Sequence, residues 1–288
     1  MMDLTSYRLM RPKVQATSVI FASPHSGRTY SPEFLAQSVL DARALRSSED
    51  AFVDELFAAA PAIGAALLLA DVPRAFLDLN RAPDELDPAL IDGIQRVPHN
   101  PRVSSGIGVI PRVVSGGRQI YRGKLPLLEA EARLRAHWYP YHNALRDLIE
   151  TTATQFGEAI LVDCHSMPHE AIETHTRPGT LRPDVVLGDR FGAAAGGHVV
   201  DAIESAFRDV GLRVARNTPF AGAFIAQSYG RPSARRHVVQ VEIDRSLYMD
   251  EAKVERGRNF TAFRAVMTTV LAQIADIGRP GVVALAAE

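Results

Sequence analysis

Apolar residues fall along this chain in two kinds of run, and the two alternate. Short stretches rich in β-formers, several bounded by proline, glycine or polar residues, read as buried strands over 18–23, 66–72, 75–79, 159–163, 184–188 and 237–243. Longer stretches with helical spacing lie between and around them. One opens at Ser47 with a serine N-cap and acids in its first turn and runs to about Ala60. Others cover 193–210 and 250–277, and the longest covers 125–156, where Pro140 should kink or break it. Residues 87–123, with Pro88, Pro98, Pro101, Pro111 and several glycines, follow neither period. A stretch of that length inside a compact domain is usually an active-site cover or a disordered insert. No internal repeat or linker interrupts the alternation. It predicts an α/β fold: a single three-layer α/β/α domain over 1–288, built on a mixed, mostly parallel sheet.

Composition narrows the partners. The 32 Lys and Arg against 33 Asp and Glu leave a net charge of −1, which provides no electrostatic basis for binding nucleic acid or an anionic membrane. The longest apolar run, 59–70, is interrupted by Pro61 and Gly64 and falls short of the roughly 20 residues of a bilayer span. The N-terminus lacks the apolar core of a signal peptide, so a cytoplasmic location is the expectation. Cys164 is the only cysteine, which excludes an internal disulfide and any cysteine-cluster zinc site. A bound metal would have to be held by histidines and carboxylates.

Ligands of open α/β sheets gather where strands end, and three predicted strands carry unusual polar residues there. The first runs into His25, the second into Asp163 and His165, and the third contains Gln240 and Glu242. Period-two alternation puts Gln240, Glu242 and Asp244 on one face of that strand and Val239, Val241 and Ile243 on the other. A carboxylate in mid-strand costs free energy unless it is paired, solvated by a cavity or set beside a metal. It is therefore either one half of a buried ion pair or an acid/base lining a pocket. His25 and His165 alone would read as hydrogen-bonded structural residues; with a strand-borne Glu they suit a zinc ion that keeps a fourth position for water. The third ligand has candidates in Glu49 and Asp50, and spacing does not choose between them. Asp163 falls two residues from His165 on the same face, where it could orient a ligand imidazole, while Cys164 points into the core.

Arginines supply the other half of a possible site. Arg81, Arg231 and Arg245 lie at or near strand ends or in a polar loop, and guanidinium groups suit bidentate binding of a carboxylated substrate. His137 and His142 are accounted for by aromatic packing around Trp138, and His169 and His175 lie in the loop after the second of these strands. No glycine pair has phosphate-loop spacing, so a nucleotide cofactor is not expected. Ser26 and Ser166 lie outside a nucleophile elbow.

This ordered set resembles the N-formylglutamate amidohydrolase (deformylase) family. The resemblance is carried by Ser23-Pro-His-Ser-Gly27, Asp50 ahead of the stretch 53–56, Asp78-Leu-Asn-Arg81, Tyr141-His142 and Asp163-Cys-His-Ser166. It continues through 217–222, Tyr229-Gly-Arg-Pro232, Val241-Glu-Ile-Asp-Arg245 and Tyr248-Met-Asp-Glu251, covering residues 20 to 251. It implies a carboxypeptidase-like fold and a hydrolase using Zn2+, or another divalent metal, to cleave N-formyl-L-glutamate into formate and L-glutamate in histidine degradation. His25 and His165 match the metal histidines, and Asp50 matches the acidic ligand better than Glu49. Glu242 matches the strand glutamate that acts as general base and acid, and Arg81, Arg231 and Arg245 suit the carboxylates of a small anionic N-acyl amino acid. Arg28, not Glu, stands three residues after His25, a departure from carboxypeptidase-like patterns. Two other readings are a metal-dependent deacylase or peptidase for another carboxylated amide, and a catalytically silent anion-binding protein.

Overall fold

The computed structural model describes residues 6–94, 100–173 and 182–281. Pro98 and His175 therefore lie outside the described residues. Seven strands form the principal sheet: β1 (Tyr7–Met10), β2 (Val19–Ser23), β3 (Ala66–Ala70), β4 (Ala159–Met167), β5 (Val185–Gly188), β6 (Val214–Arg216) and β7 (Arg236–Asp244). Their order is β1-β3-β2-β4-β7-β5-β6. β2 runs parallel to β4, β4 to β7 and β5 to β6, whereas β7 and β5 are antiparallel. The expected mixed, mostly parallel α/β sheet is present. β2, β3 and β4 are buried along their whole length, which is why they read as continuous apolar runs rather than as alternating ones.

Backbone contacts group the chain into two units. The larger takes 9–23, 52–68 and 145 onward and contains most of the sheet. In it α3 (Gly197–Arg208), α4 (Phe224–Tyr229) and α5 (Phe260–Ile277) pack on one another or on the strands. By length and composition alone α5 could span a bilayer. Its positions at three- and four-residue spacing, among them Phe260, Phe263, Met267, Val270, Leu271 and Ile274, are buried within the protein. The smaller unit takes 24–51 and 69–144 with the chain start, and contains α1 (Leu127–Arg133). Its core closes around Arg133, which lies 4.0 Å over the Phe76 ring and donates to the Tyr121 hydroxyl at 2.7 Å and to Gln37 Oε1 at 3.0 Å.

Four expected elements come out differently. The long helix becomes α1 and α2 (Tyr139–Phe156), joined by a π-helical turn over Leu134–Trp138, so the Pro140 interruption is absorbed by rewinding rather than by a break. Residues 75–79 form no strand: the Phe76 and Leu77 amides both donate to the Pro73 carbonyl, closing a turn. The helix expected from Ser47 to about Ala60 is reduced to a single α-helical turn at Val53–Leu56. Phe52, at φ 67°, breaks it, and the Ser47 hydroxyl donates back to Ala44 instead of capping forward. The last helix starts at Phe260, because 249–256 turn back as a short hairpin between Met249–Asp250 and Glu255–Arg256.

Candidate active site

His25 leaves the end of β2 two residues after Ser23. The chain turns there against the segment after β3, and Gly27 makes the approach possible: a Cβ on it would lie 2.1 Å from the Val72 carbonyl oxygen. The imidazole is buried. Its Nε2 lies 2.7 Å from Asp78 Oδ1, which also accepts the Asn80 amide at 2.8 Å, while Asp78 Oδ2 accepts from Arg74 Nε at 3.1 Å. Burial by itself would raise the Asp78 carboxyl, but His25, Arg74 and Arg81 outweigh it and hold the group well below the usual carboxylate range. An ionised carboxylate only accepts, so the proton on Nε2 faces Asp78 and Nδ1 is the ring nitrogen left for a ligating role.

Asp50 comes to that nitrogen through the backbone. Its amide donates to the His25 carbonyl at 3.0 Å, and its Oδ2 lies 3.4 Å from His25 Nδ1. Two donors bound tetrahedrally to a zinc ion at about 2.0–2.1 Å sit about 3.4 Å apart. Glu49 is engaged elsewhere, accepting from Arg46 at 2.9 and 3.2 Å. Burial raises its carboxyl, and Arg46 offsets this only in part.

β4 and β7 present the remaining groups in register. Asp163 lies beside Gln240 and His165 beside Glu242 on adjacent parallel strands, so all four project from one face. His165 Nε2 is 3.1 Å from Asp163 Oδ1. Gln240 Nε2 donates to Glu242 Oε1 at 2.8 Å. Cys164 faces the other way and is buried; burial first, then the Asp163 charge, raises its thiol well above the usual value.

His25, Asp50 and His165 each offer one donor atom, and these atoms all lie within 4.8 Å of one another. Two imidazoles and a carboxylate, all buried, form a donor set that suits zinc with a position left for water or substrate. Asp78 is the carboxylate that orients His25 from behind, the arrangement that holds a ligating ring and raises its basicity.

Among the described residues, Glu158, His198 and His237 also bring one donor atom each within 4.8 Å of one another. The chemistry of this trio differs. The Gly196 amide donates to His237 Nδ1 at 3.0 Å, so the ring proton sits on Nε2, 3.5 Å from Glu158 Oε2. That imidazole gains a ligating lone pair only by giving up a hydrogen bond. The tautomers separate the two clusters where distance does not.

Arg81 is buried, with Nε donating to the Ile107 carbonyl at 3.0 Å and its own carbonyl accepting from Trp138 Nε1 at 3.0 Å. Arg245, one residue beyond β7, is buried and donates to Ser166 Oγ at 3.1 Å, next to His165. Arg231 is not brought to this set. Its backbone bridges to Arg236 at the start of β7, and its guanidinium lies on the carbonyls of Gln227 and Gly230. Arg236 and Glu242 stand six positions apart on the strand, about 20 Å at 3.3 Å per residue. His142 is held by the Leu79 carbonyl at 2.8 Å and stacks on Trp138 at 3.9 Å, as aromatic packing requires. His169 pairs with Asp244 at 2.7 Å.

Sequence reasoning singled out Arg81 in Asp78-Leu-Asn-Arg81 and passed over Asp78. The signal that could have found it is the Asx turn, an Asp whose side chain accepts the amide two residues on and so is held in one orientation.

The N-formylglutamate amidohydrolase family model matches residues 17–249. N-formylglutamate deformylase of Pseudomonas aeruginosa is 30% identical over 267 residues, 91% of this chain and 94% of that protein. The Pseudomonas putida N-formylglutamate deformylase is 30% identical over 238 residues, 82% and 83% of the two chains. The crystal structure of N-formylglutamate amidohydrolase from Ralstonia eutropha JMP134 superposes with a TM-score of 0.90 at 36% identity, covering 97% of this chain and 100% of that one.

Proposed function

The chain belongs to the N-formylglutamate amidohydrolase family, and from that premise we propose that it hydrolyses N-formyl-L-glutamate to formate and L-glutamate, a step of histidine degradation, with a zinc ion held by His25, Asp50 and His165. The observation that carries the reading is the closeness of those three buried donors, within 4.8 Å of one another, with Glu242 in register beside His165.

A divalent ion held there would supply Lewis acidity, able to polarise an amide carbonyl and to make water acidic enough to lose a proton near neutrality. Glu242 takes the proton from the attacking water and returns it to the departing glutamate nitrogen, so one carboxylate serves as base and then as acid. Its place on the strand beside His165 supports that role, since a proton acceptor must lie within one hydrogen bond of the water it activates. Arg81 and Arg245 bind the carboxylates of the glutamate moiety, turning interactions remote from the amide into orientation of the formyl carbon. Asp78 keeps the His25 imidazole in fixed orientation throughout.

Metal analysis of the purified protein, alongside a formate-release assay on N-formyl-L-glutamate, tests the reading. His165→Ala should lose both metal and activity. Glu242→Gln should retain metal and lose at least about 100-fold in kcat. Full turnover by Glu242→Gln removes Glu242 from the mechanism, and formate release from metal-free protein removes the ion.

A further inference from the structure

Gln240 is a buried amide two residues before Glu242 on the same face of β7. Both of its ends are engaged. Oε1 accepts the Ala223 amide at 3.0 Å, and Nε2 donates to Glu242 Oε1 at 2.8 Å. The orientation of the amide follows from its partners: only the oxygen can face a backbone N–H, so only the NH2 can face the carboxylate.

The Ala223 end is anchored. Gly188, beside Gln240 on β5, has no room for a side chain, because a Cβ there would lie 2.7 Å from Ala221 C and Gly222 N. The Arg190 amide also donates to the Ala221 carbonyl at 2.7 Å. The loop supplying the Ala223 N–H is thus pressed against the sheet and cannot retreat without breaking these contacts. A glutamate carboxylate turns about a broad, weakly restrained terminal torsion, so a fixed plane needs an outside donor.

From this geometry we infer that Gln240 is a positioning residue for Glu242: a rigid loop, through one amide, sets the plane of the carboxylate that moves the proton. The inference rests on the role given to Glu242 above. Gln240 acts through its neighbour, to which its NH2 is committed.

Two replacements test it. Gln240→Met keeps length and volume and removes both hydrogen bonds. Gln240→Glu keeps an acceptor for Ala223 and sets an oxygen against Glu242, so it serves even where the methionine variant folds poorly. Each is assayed for formate release from N-formyl-L-glutamate, zinc content and thermal melting. The expected result is a fall in kcat per zinc-loaded site of about 10- to 100-fold with KM within about twofold, since misplacing a catalytic group by an ångström has effects of that size. In the Glu242→Gln background the same replacements should cause no further loss, because the residue they act through is gone. Wild-type kcat in both single variants overturns the inference while leaving the proposed function intact. An equal loss in the Glu242→Gln background also overturns it, showing a general structural effect. A wild-type protein that releases no formate overturns the functional reading and this inference with it.

Discussion

Replacing Asp78 with Asn changes one atom behind His25, and the structure determines which way the new amide must face. Asp78 Oδ1 receives two donors, His25 Nε2 at 2.7 Å and the Asn80 amide at 2.8 Å, while Oδ2 receives one, Arg74 Nε at 3.1 Å. An asparagine oxygen placed at Oδ1 keeps two of these bonds and opposes its NH2 to Arg74; the reverse orientation loses two. The first arrangement wins. Arg74 is partly exposed, so it can turn its guanidinium to water, and the cost there stays near the low end of the roughly 1.5–3 kcal/mol of a charged hydrogen bond. The bond to His25 survives but becomes neutral, with about half its former strength. The ring keeps its tautomer and loses basicity, so zinc affinity should fall about tenfold, equivalent to about 1.4 kcal/mol. Asp78→Ala removes the acceptor altogether, unlocks the tautomer and should weaken binding about 100-fold. Competition for zinc against a chromophoric chelator measures both without reference to catalysis, and melting in excess chelator separates stability from affinity. Unchanged zinc Kd in both variants would refute the argument that Asp78 works through a metal-ligating His25.

Other consequences can be checked independently. Gly27→Ala would place a methyl 2.1 Å from the Val72 carbonyl oxygen, a backbone atom that cannot swing aside. It should lower stability by about 1–3 kcal/mol in urea unfolding and weaken zinc binding by displacing His25. Arg133→Met removes the cation over Phe76 and leaves the Tyr121 hydroxyl, Gln37 and Glu129 without their donor, so a loss of about 2–4 kcal/mol is expected in the same assay. Asp184 accepts from the Arg213 amide and Nε at 2.8 Å each and from Nη2 at 2.6 Å; burial raises its carboxyl, and these bonds and the guanidinium charge more than offset that, leaving it lowered. A depressed folded value means stabilisation that is present above the unfolded pKa of about 3.9 and lost as pH falls through the folded one. Asp184→Asn should therefore cost about 1 kcal/mol at pH 7, discounted for the half-exposed arginine, and the two proteins should converge in stability below about pH 4. Equal stabilities at pH 7 would rule out that contribution.

Local pattern carried this protein a long way. Continuous apolar runs marked β2 and β4 because both lie inside the sheet; His25 follows the end of β2, whereas β4 continues through His165 to Met167. Period-two alternation put Gln240 and Glu242 on one face of β7, because successive side chains of any strand must alternate. What tertiary structure decided is which distant groups meet. Asp50 reaches His25 through a backbone hydrogen bond across twenty-five positions, and that bond competes with the helix its own neighbourhood favours. Asp78 reaches the same ring because Pro73 closes a turn where β-forming residues alone suggest a strand. Arg231 and Arg245 sit in equally suitable motifs, yet opposite ends of one nine-residue strand keep them apart. Side-chain periodicity is set by the geometry of a few adjacent peptides and can be read from them. The pairing of a carboxylate with an imidazole depends on the path of all the chain between, which no short window contains.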